Sequence, residues 1–233
     1  NWLAEQLIDF SALVEDHEAR SRDACETGIE VFRKNLQALN VEGDAHTTIV
    51  DLYSFGDHVA RQARTRDLSL IPMSNPVDSQ RSVAEAVVFG SGRPVILYRA
   101  GAGGLMNNHL ETAVVAWDGS RTAARALADA IPLLSIARQV RVLTVLNEKP
   151  EAREGLGKDA VRHLRMHGIA AVADETDGTG RKIGEVLESY AAEHRSDLLV
   201  MGAFGHSRLR EFVLGGATAY LTRNPRAPVF MSH

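Results

Sequence analysis

From Glu111 onward, short β-branched runs alternate with stretches of helical periodicity, and that alternation restricts the fold more than any other feature of the sequence. In order they read ETAVVAW, TAARALADAIPLLSIA, VRVLTVL, KDAVRHLRMHG, AAVADE, KIGEVLESYAAEH, DLLVMGA, GGATAYLTR and PVFMS. Strands apolar at consecutive positions are buried on both faces, and crossovers of helix length between them require parallel neighbours. The order β-α-β-α-β-α-β-α-β predicts a doubly wound α/β domain over residues 105–233, with a five-stranded parallel sheet.

The first half repeats the end of this pattern. TTIVD corresponds to the third strand, FGDHVARQAR to the third helix, DLSLIPM to the fourth strand, SVAEAVVFGSG to the fourth helix and PVILY to the last strand. DLSLIPM against DLLVMGA and GRPVILY against RAPVFMS are the clearest matches. Residues 1–104 therefore read as a second, degenerate copy of the same domain, in tandem with the first. The stretch from Trp2 to about Asn40 has the periodicity of one long helix or two short ones and matches the second helix of the repeat. The first strand of that copy has no counterpart, since counting back the interval that separates Asp118 from the fourth strand falls before Asn1. An N-terminal β-α-β segment is expected to be missing.

The content of 45% hydrophobic and 24% charged residues with a net charge of −4 excludes a disordered chain. Acidic and basic residues alternate along the helices instead of gathering into a basic face, so no nucleic-acid partner is expected. No apolar run reaches the ~18 residues of a membrane span. NWLAEQLIDF lacks the basic start and apolar centre of a signal peptide, so the expected location is cytoplasmic with no membrane partner. The lone Cys25 cannot close an internal disulfide and lies among Asp23, Glu26 and Glu30, so it reads as structural.

Ligands of doubly wound sheets bind beyond the carboxyl ends of the strands, where two loops part at a reversal of strand order. Two motifs fall there. Trp117-Asp118-Gly119-Ser120 follows the first strand and sets a carboxylate at the crevice. Gly202-Ala203-Phe204-Gly205, then nine residues, then Gly215-Gly216-Ala217-Thr218 lead from the fourth strand to the fourth helix. Glycines allow close backbone approach, and free N–H groups at a helix start attract phosphate; Arg208 and Arg210 lie in the intervening loop. Each motif also has a plainer reading. Asp118 and Ser120 suit the capping of a helix, and the glycines suit close helix–strand packing. His163 and His167 have metal-ligand spacing without a third ligand nearby and read as solvated surface. His206-Ser207 lacks the elbow and the orienting group of a hydrolase nucleophile, so no catalytic residue is assigned.

The spacing Gly-x2-Gly-x9-Gly followed by a small residue, together with Asp-Gly-Ser after the first strand, resembles the universal stress protein family in a tandem, two-domain form. The resemblance implies a Rossmann-like, adenine nucleotide alpha hydrolase-like fold and the binding of ATP with Mg²⁺, with at most weak ATPase activity in a stress response. Carried onto this chain, it implies that Asp118 and the backbone of Val145 hold the nucleoside. Gly202, Gly205 and Gly215 hold phosphates, with Gly216, Ala217 and Thr218 opening the following helix. Gly216 stands where ATP-binding members have Ser or Thr, so the N–H donor is kept and the hydroxyl is not, unless Thr218 supplies one. The first half reads Met73-Ser74-Asn75-Pro76 at the corresponding loop and is expected to serve as a structural or dimerisation partner. The resemblance implies that the last strand mediates dimer contacts, so the apolar closing strands PVILY and PVFMS imply a homodimer or an intrachain pseudo-dimer, with a monomer of two loosely tethered domains as the alternative. A different class also fits the resemblance, a nucleotide-free scaffold acting through protein–protein contacts.

Overall fold

In the computed structural model of the protein, strands and helices from Leu52 onward alternate as the sequence pattern requires. The structure describes residues 2–51, 53–73, 78–99, 110–148, 152–203, 216–223 and 225–233. The chain divides into Asn1–Asp51 and Leu52–His233.

The first unit is dominated by a single helix, α1 (Trp2–Leu39). Ion pairs one turn apart, Asp16–Arg20 at 2.6 Å and Glu18–Arg22 at 3.6 Å, run along its surface. It ends where Asn40 enters the left-handed region at φ 51° and the Val41 N–H bonds back to the Leu36 carbonyl at 3.0 Å, a Schellman closure. The expected strand TTIVD does not form: residues 47–51 carry no strand, and Ile49 is 83% exposed. Its counterpart in the second half, the strand Ala171–Asp177, is held to the sheet by the strand Ala137–Leu146 alone, and the first half has no counterpart of that neighbour among the described residues, so the segment lacks the ladder a strand needs.

The second unit carries α2 (Phe55–Ala63), β1 (Ser69–Pro72), α3 (Asp78–Gly90) and β2 (Val95–Tyr98) from the first half of the sequence. The second half adds β3 (Leu110–Ala116), α4 (Arg121–Leu134), β4 (Ala137–Leu146), α5 (Lys158–Met166) and β5 (Ala171–Asp177). It ends with α6 (Ile183–Glu193), β6 (Leu198–Gly202), α7 (Gly216–Leu221) and β7 (Val229–Ser232). The seven strands form one sheet in the order β1-β2-β7-β6-β3-β4-β5. The five strands of the second half are mutually parallel, as expected. β1 and β2 are parallel to each other and join the same sheet through one antiparallel seam, β2 against β7. The two closing strands thus cover each other's edges within one chain.

The sheet is buried on both faces because its strands are apolar at consecutive positions. One face packs Val114, Leu143, Val145, Leu199 and Met231 with residues of α2, α3, α6 and α7. The other packs Val115, Val142, Val200 and Phe230 with residues of α4 and α5. Phe230 is 1% exposed; burying a side chain of that size contributes roughly 1.5–3 kcal/mol. β5 departs from this rule. It is an edge strand, alternating between covered and open positions, and places Asp174, Glu175 and Asp177 along its length. Charges on an edge discourage pairing with other chains. Among the described residues, no helix is long and apolar enough to cross a membrane.

Candidate functional site

Strand order reverses at β3. The chain leaves β3 through α4 over one face to reach β4, whereas β6, on its other side, leads to α7 over the opposite face. A reversal of strand order of this kind is where doubly wound sheets take their ligands, at the carboxyl ends of β3 and β6; the loop that follows β6 lies outside the described residues.

Trp117 extends the β3–β4 ladder, its N–H donating to the Leu143 carbonyl at 2.8 Å, while its indole Nε1 donates to the Leu156 carbonyl at 3.2 Å. The chain then turns tightly. Asp118 Oδ1 accepts from the Ser120 N–H at 2.9 Å, and Gly119 between them lies at φ 73°, a conformation that favours glycine. Ser120 is the N-cap of α4: its backbone is extended and its Oγ accepts from the Ala123 N–H at 3.1 Å. The capping suggested for this motif therefore belongs to Ser120, and Asp118 closes the turn that precedes it. The hydrogen bond fixes the direction of a half-buried carboxylate.

Val145 lies on β4, two residues beyond the Ala116–Leu143 pair, which puts it across from Asp118. It is 7% exposed and pairs with Thr176 on β5. Gly178 follows closely over it: a Cβ at Gly178 would lie 2.7 Å from Val145 Cγ1. Gly202 ends β6, two residues beyond the Val115–Val200 pair. Asp118, Val145 and Gly202 thus share one end of three adjacent parallel strands.

The structure gives Gly202 a packing reason as well. A Cβ there would lie 2.5 Å from the Thr122 carbonyl carbon and 2.7 Å from the Ala123 nitrogen, so only glycine lets β6 pass under the first turn of α4. Gly216, by contrast, is exposed and has open space where a side chain would stand. Ala217 is half-buried, and Thr218 is buried at 3% exposure with its carbonyl accepting from the Thr222 N–H at 2.9 Å. Gly205 and Gly215, with Arg208, Arg210, His206 and Ser207, lie outside the described residues. His163 on α5 and His167 at its C-cap have ring centroids 4.8 Å apart, and both are exposed. Among the described residues no group of three or more His, Cys, Asp or Glu is arranged to hold a metal ion.

Sequence reasoning missed a polar cluster on β4, β5 and α6. Arg141 donates to Asp174 at 2.6 Å, Tyr190 donates to the same carboxylate oxygen, and the His194 ring stacks on Tyr190 with centroids 4.0 Å apart. Burial, then the hydrogen bond to Asp174, pushes the Tyr190 phenol up to about 12; the hydrogen bond to Asp174 raises the Arg141 guanidinium. Arg141 precedes Val145 by four residues, ~13 Å along the strand, so the cluster braces the sheet edge away from the crevice. The one signal was a charged residue at an otherwise apolar strand position, QVRVLTVL.

A family model, "Universal stress protein family", matches residues 109–233. A universal stress protein of Synechocystis sp. is 31% identical over 117 residues, covering 49% of this chain and 39% of that protein's own length. The chain thus spans about two fifths of that relative. Among solved structures, a universal stress protein from Archaeoglobus fulgidus DSM 4304 superposes with a TM-score of 0.63 at 18% identity, covering 89% of this chain and 78% of that one. A functionally unknown protein from Pseudomonas aeruginosa PAO1 gives 0.53 at 12% identity, covering 89% and 77%. At these identities the two structures bear on the fold. The family match extends over more than half of the chain and contains every element from β3 to β7, so the chain belongs to the universal stress protein family.

Proposed function

We propose that the protein binds an adenine nucleotide, ATP with Mg²⁺, in the crevice beyond β3, β4 and β6. The observation that carries the reading is the convergence of Asp118, Val145 and Gly202 at the carboxyl ends of three adjacent parallel strands, at the reversal of strand order. The residues fit a nucleoside: an oriented carboxylate suits ribose hydroxyls, and Val145 supplies an apolar surface with main-chain groups at a strand end. Gly216 opens α7 and has open space where a side chain would stand. Any hydrolysis is slow, because among the described residues no acid–base pair converges on Asp118, Val145 and Gly202.

A nucleotide-free scaffold is the competing reading, favoured by the packing reason for Gly202 and by glycine at position 216. Calorimetric titration of ATP with Mg²⁺ into the wild type and into Gly216→Ser separates the two. Saturable wild-type binding near one site per chain supports the nucleotide reading. Binding that appears only in Gly216→Ser assigns the natural protein to the scaffold class.

A further inference from the structure

Small residues leave a hole where α6 and α7 meet the amino ends of β6 and β7. Ala191 and Ala192 on α6 and Ala227 before β7 border a space that none of them is long enough to fill. The result is a partly open cavity of about 160 Å³, walled by Leu199, Leu221 and Val229, each at most 2% exposed. Protein interiors close-pack and leave few voids larger than a water molecule, whereas an apolar hole of about 150 Å³ takes a ring of benzene size. Leu199 and Val229 stand at the amino ends of their strands, and Gly202 ends β6, so the cavity lies at the opposite end of the sheet from Asp118, Val145 and Gly202.

Charged groups also line this cavity. Glu188 Oε2 accepts from the Tyr220 hydroxyl at 3.1 Å and pairs with Arg226 Nε at 3.4 Å. The Arg195 guanidinium has no partner among the described residues. Two guanidinium groups against one carboxylate leave one positive charge beside an apolar wall. The backbone of Arg195 is unusual too. α6 closes with the Ser196 N–H donating to the Ala191 carbonyl at 2.8 Å, and this puts Arg195 at φ 48°. Glycine is usual at such a closure. Among the described residues the other non-glycine positions with positive φ are Asn40 and Asn147, a residue type that tolerates it. Backbone strain accepted at an arginine points to a use for its side chain.

We propose that the cavity binds a small monocarboxylate with an apolar tail, the tail against Leu199, Leu221 and Val229 and the carboxylate on Arg195 and Arg226. A guanidinium meets a carboxylate with two parallel hydrogen bonds. The single surplus charge suits a monoanion, and the volume admits one ring or a branched aliphatic chain. The probe is benzoate, titrated into the full chain and followed by amide chemical shifts. Saturable shifts at Leu199, Leu221, Ala227 and Val229 are expected, with benzamide, which keeps the ring and lacks the charge, binding at least about fivefold more weakly. Arg195→Gly relieves the left-handed backbone, so its urea unfolding midpoint stays at or above that of the wild type while benzoate affinity falls at least about fivefold. Ala192→Leu, at an exposed position of α6, fills the cavity and abolishes binding with helix content unchanged. Absence of saturable shifts, which a cavity filled by the chain's own residues would give, overturns the proposal. So do equal affinity for benzamide, binding indifferent to both substitutions, or shifts centred on Asp118, Val145 and Gly202.

Discussion

Gly202 separates packing from ligand binding, and its substitution has a calculable effect. Placing Ala there sets a Cβ 2.5 Å from the Thr122 carbonyl carbon and 2.7 Å from both the Thr122 oxygen and the Ala123 nitrogen. All three atoms are backbone in the first turn of α4, so relief requires moving the helix, not rotating a side chain. Overpacking of this kind costs about 1–3 kcal/mol, and a backbone obstacle places it at the upper end. Loss of glycine's freedom in the unfolded chain returns roughly 0.4–1 kcal/mol, leaving a net destabilisation of about 2 kcal/mol. With a urea dependence of about 2–3 kcal/mol/M, the unfolding midpoint falls by roughly 0.7–1 M at unchanged slope. Gly216→Ala is the matched control: it is exposed and meets nothing within 4 Å, so its stability stays within about 0.5 kcal/mol of the wild type. A Gly202→Ala midpoint equal to that of the control would refute the packing argument and leave ligand approach as the reason for the glycine.

Three further substitutions test the local accounts. The Thr144 hydroxyl is fully buried with no hydrogen-bond partner among the described residues, so Thr144→Val raises stability by up to about 1–2 kcal/mol in urea unfolding; a loss of that size contradicts it. Ser120→Ala removes the α4 cap and lowers stability by about 1 kcal/mol in the same measurement. Tyr190 holds its proton more tightly folded than unfolded, with a phenol at about 12 against an ordinary 10.0. Its stabilising contribution is therefore full below the unfolded value and lost as pH rises through that window. Wild-type stability falls more steeply from pH 10 to 12 than that of Tyr190→Phe, which is itself weaker below pH 10 by about 1.5–3 kcal/mol for a lost bond to a charged group; parallel curves contradict this.

Periodicity made most of the fold legible, because a strand buried on both faces and a helix buried on one leave different apolar patterns. Every strand and helix expected after Glu111 is present, as are α2, β1, α3 and β2 from the repeat. TTIVD failed because its apolar character registers only a propensity, and a strand exists by virtue of a neighbour. The turn after β3 was legible in Asp-Gly-Ser, and the end of β6 in its glycine. The reason for Gly202 was not, because the atoms that exclude a side chain belong to a helix 79 residues earlier (202 − 123). The Arg141–Asp174–Tyr190 cluster was hidden likewise: its members come from three elements and meet only when β4, β5 and α6 assemble. The seam was foreseen as one of two ways to cover apolar closing strands, and the register Ile96–Phe230 realises the intrachain one.

The central claim, that nucleotide enters the crevice at the ends of β3, β4 and β6, is tested most directly by amide chemical-shift mapping during titration with ATP and Mg²⁺. The account predicts saturable shifts concentrated at Asp118, Gly119, Val145, Gly202 and Gly216, diminished at least tenfold in apparent affinity by Asp118→Asn, which keeps the turn's acceptor and removes the charge. An unchanged spectrum, or shifts centred elsewhere and indifferent to Asp118→Asn, would contradict it.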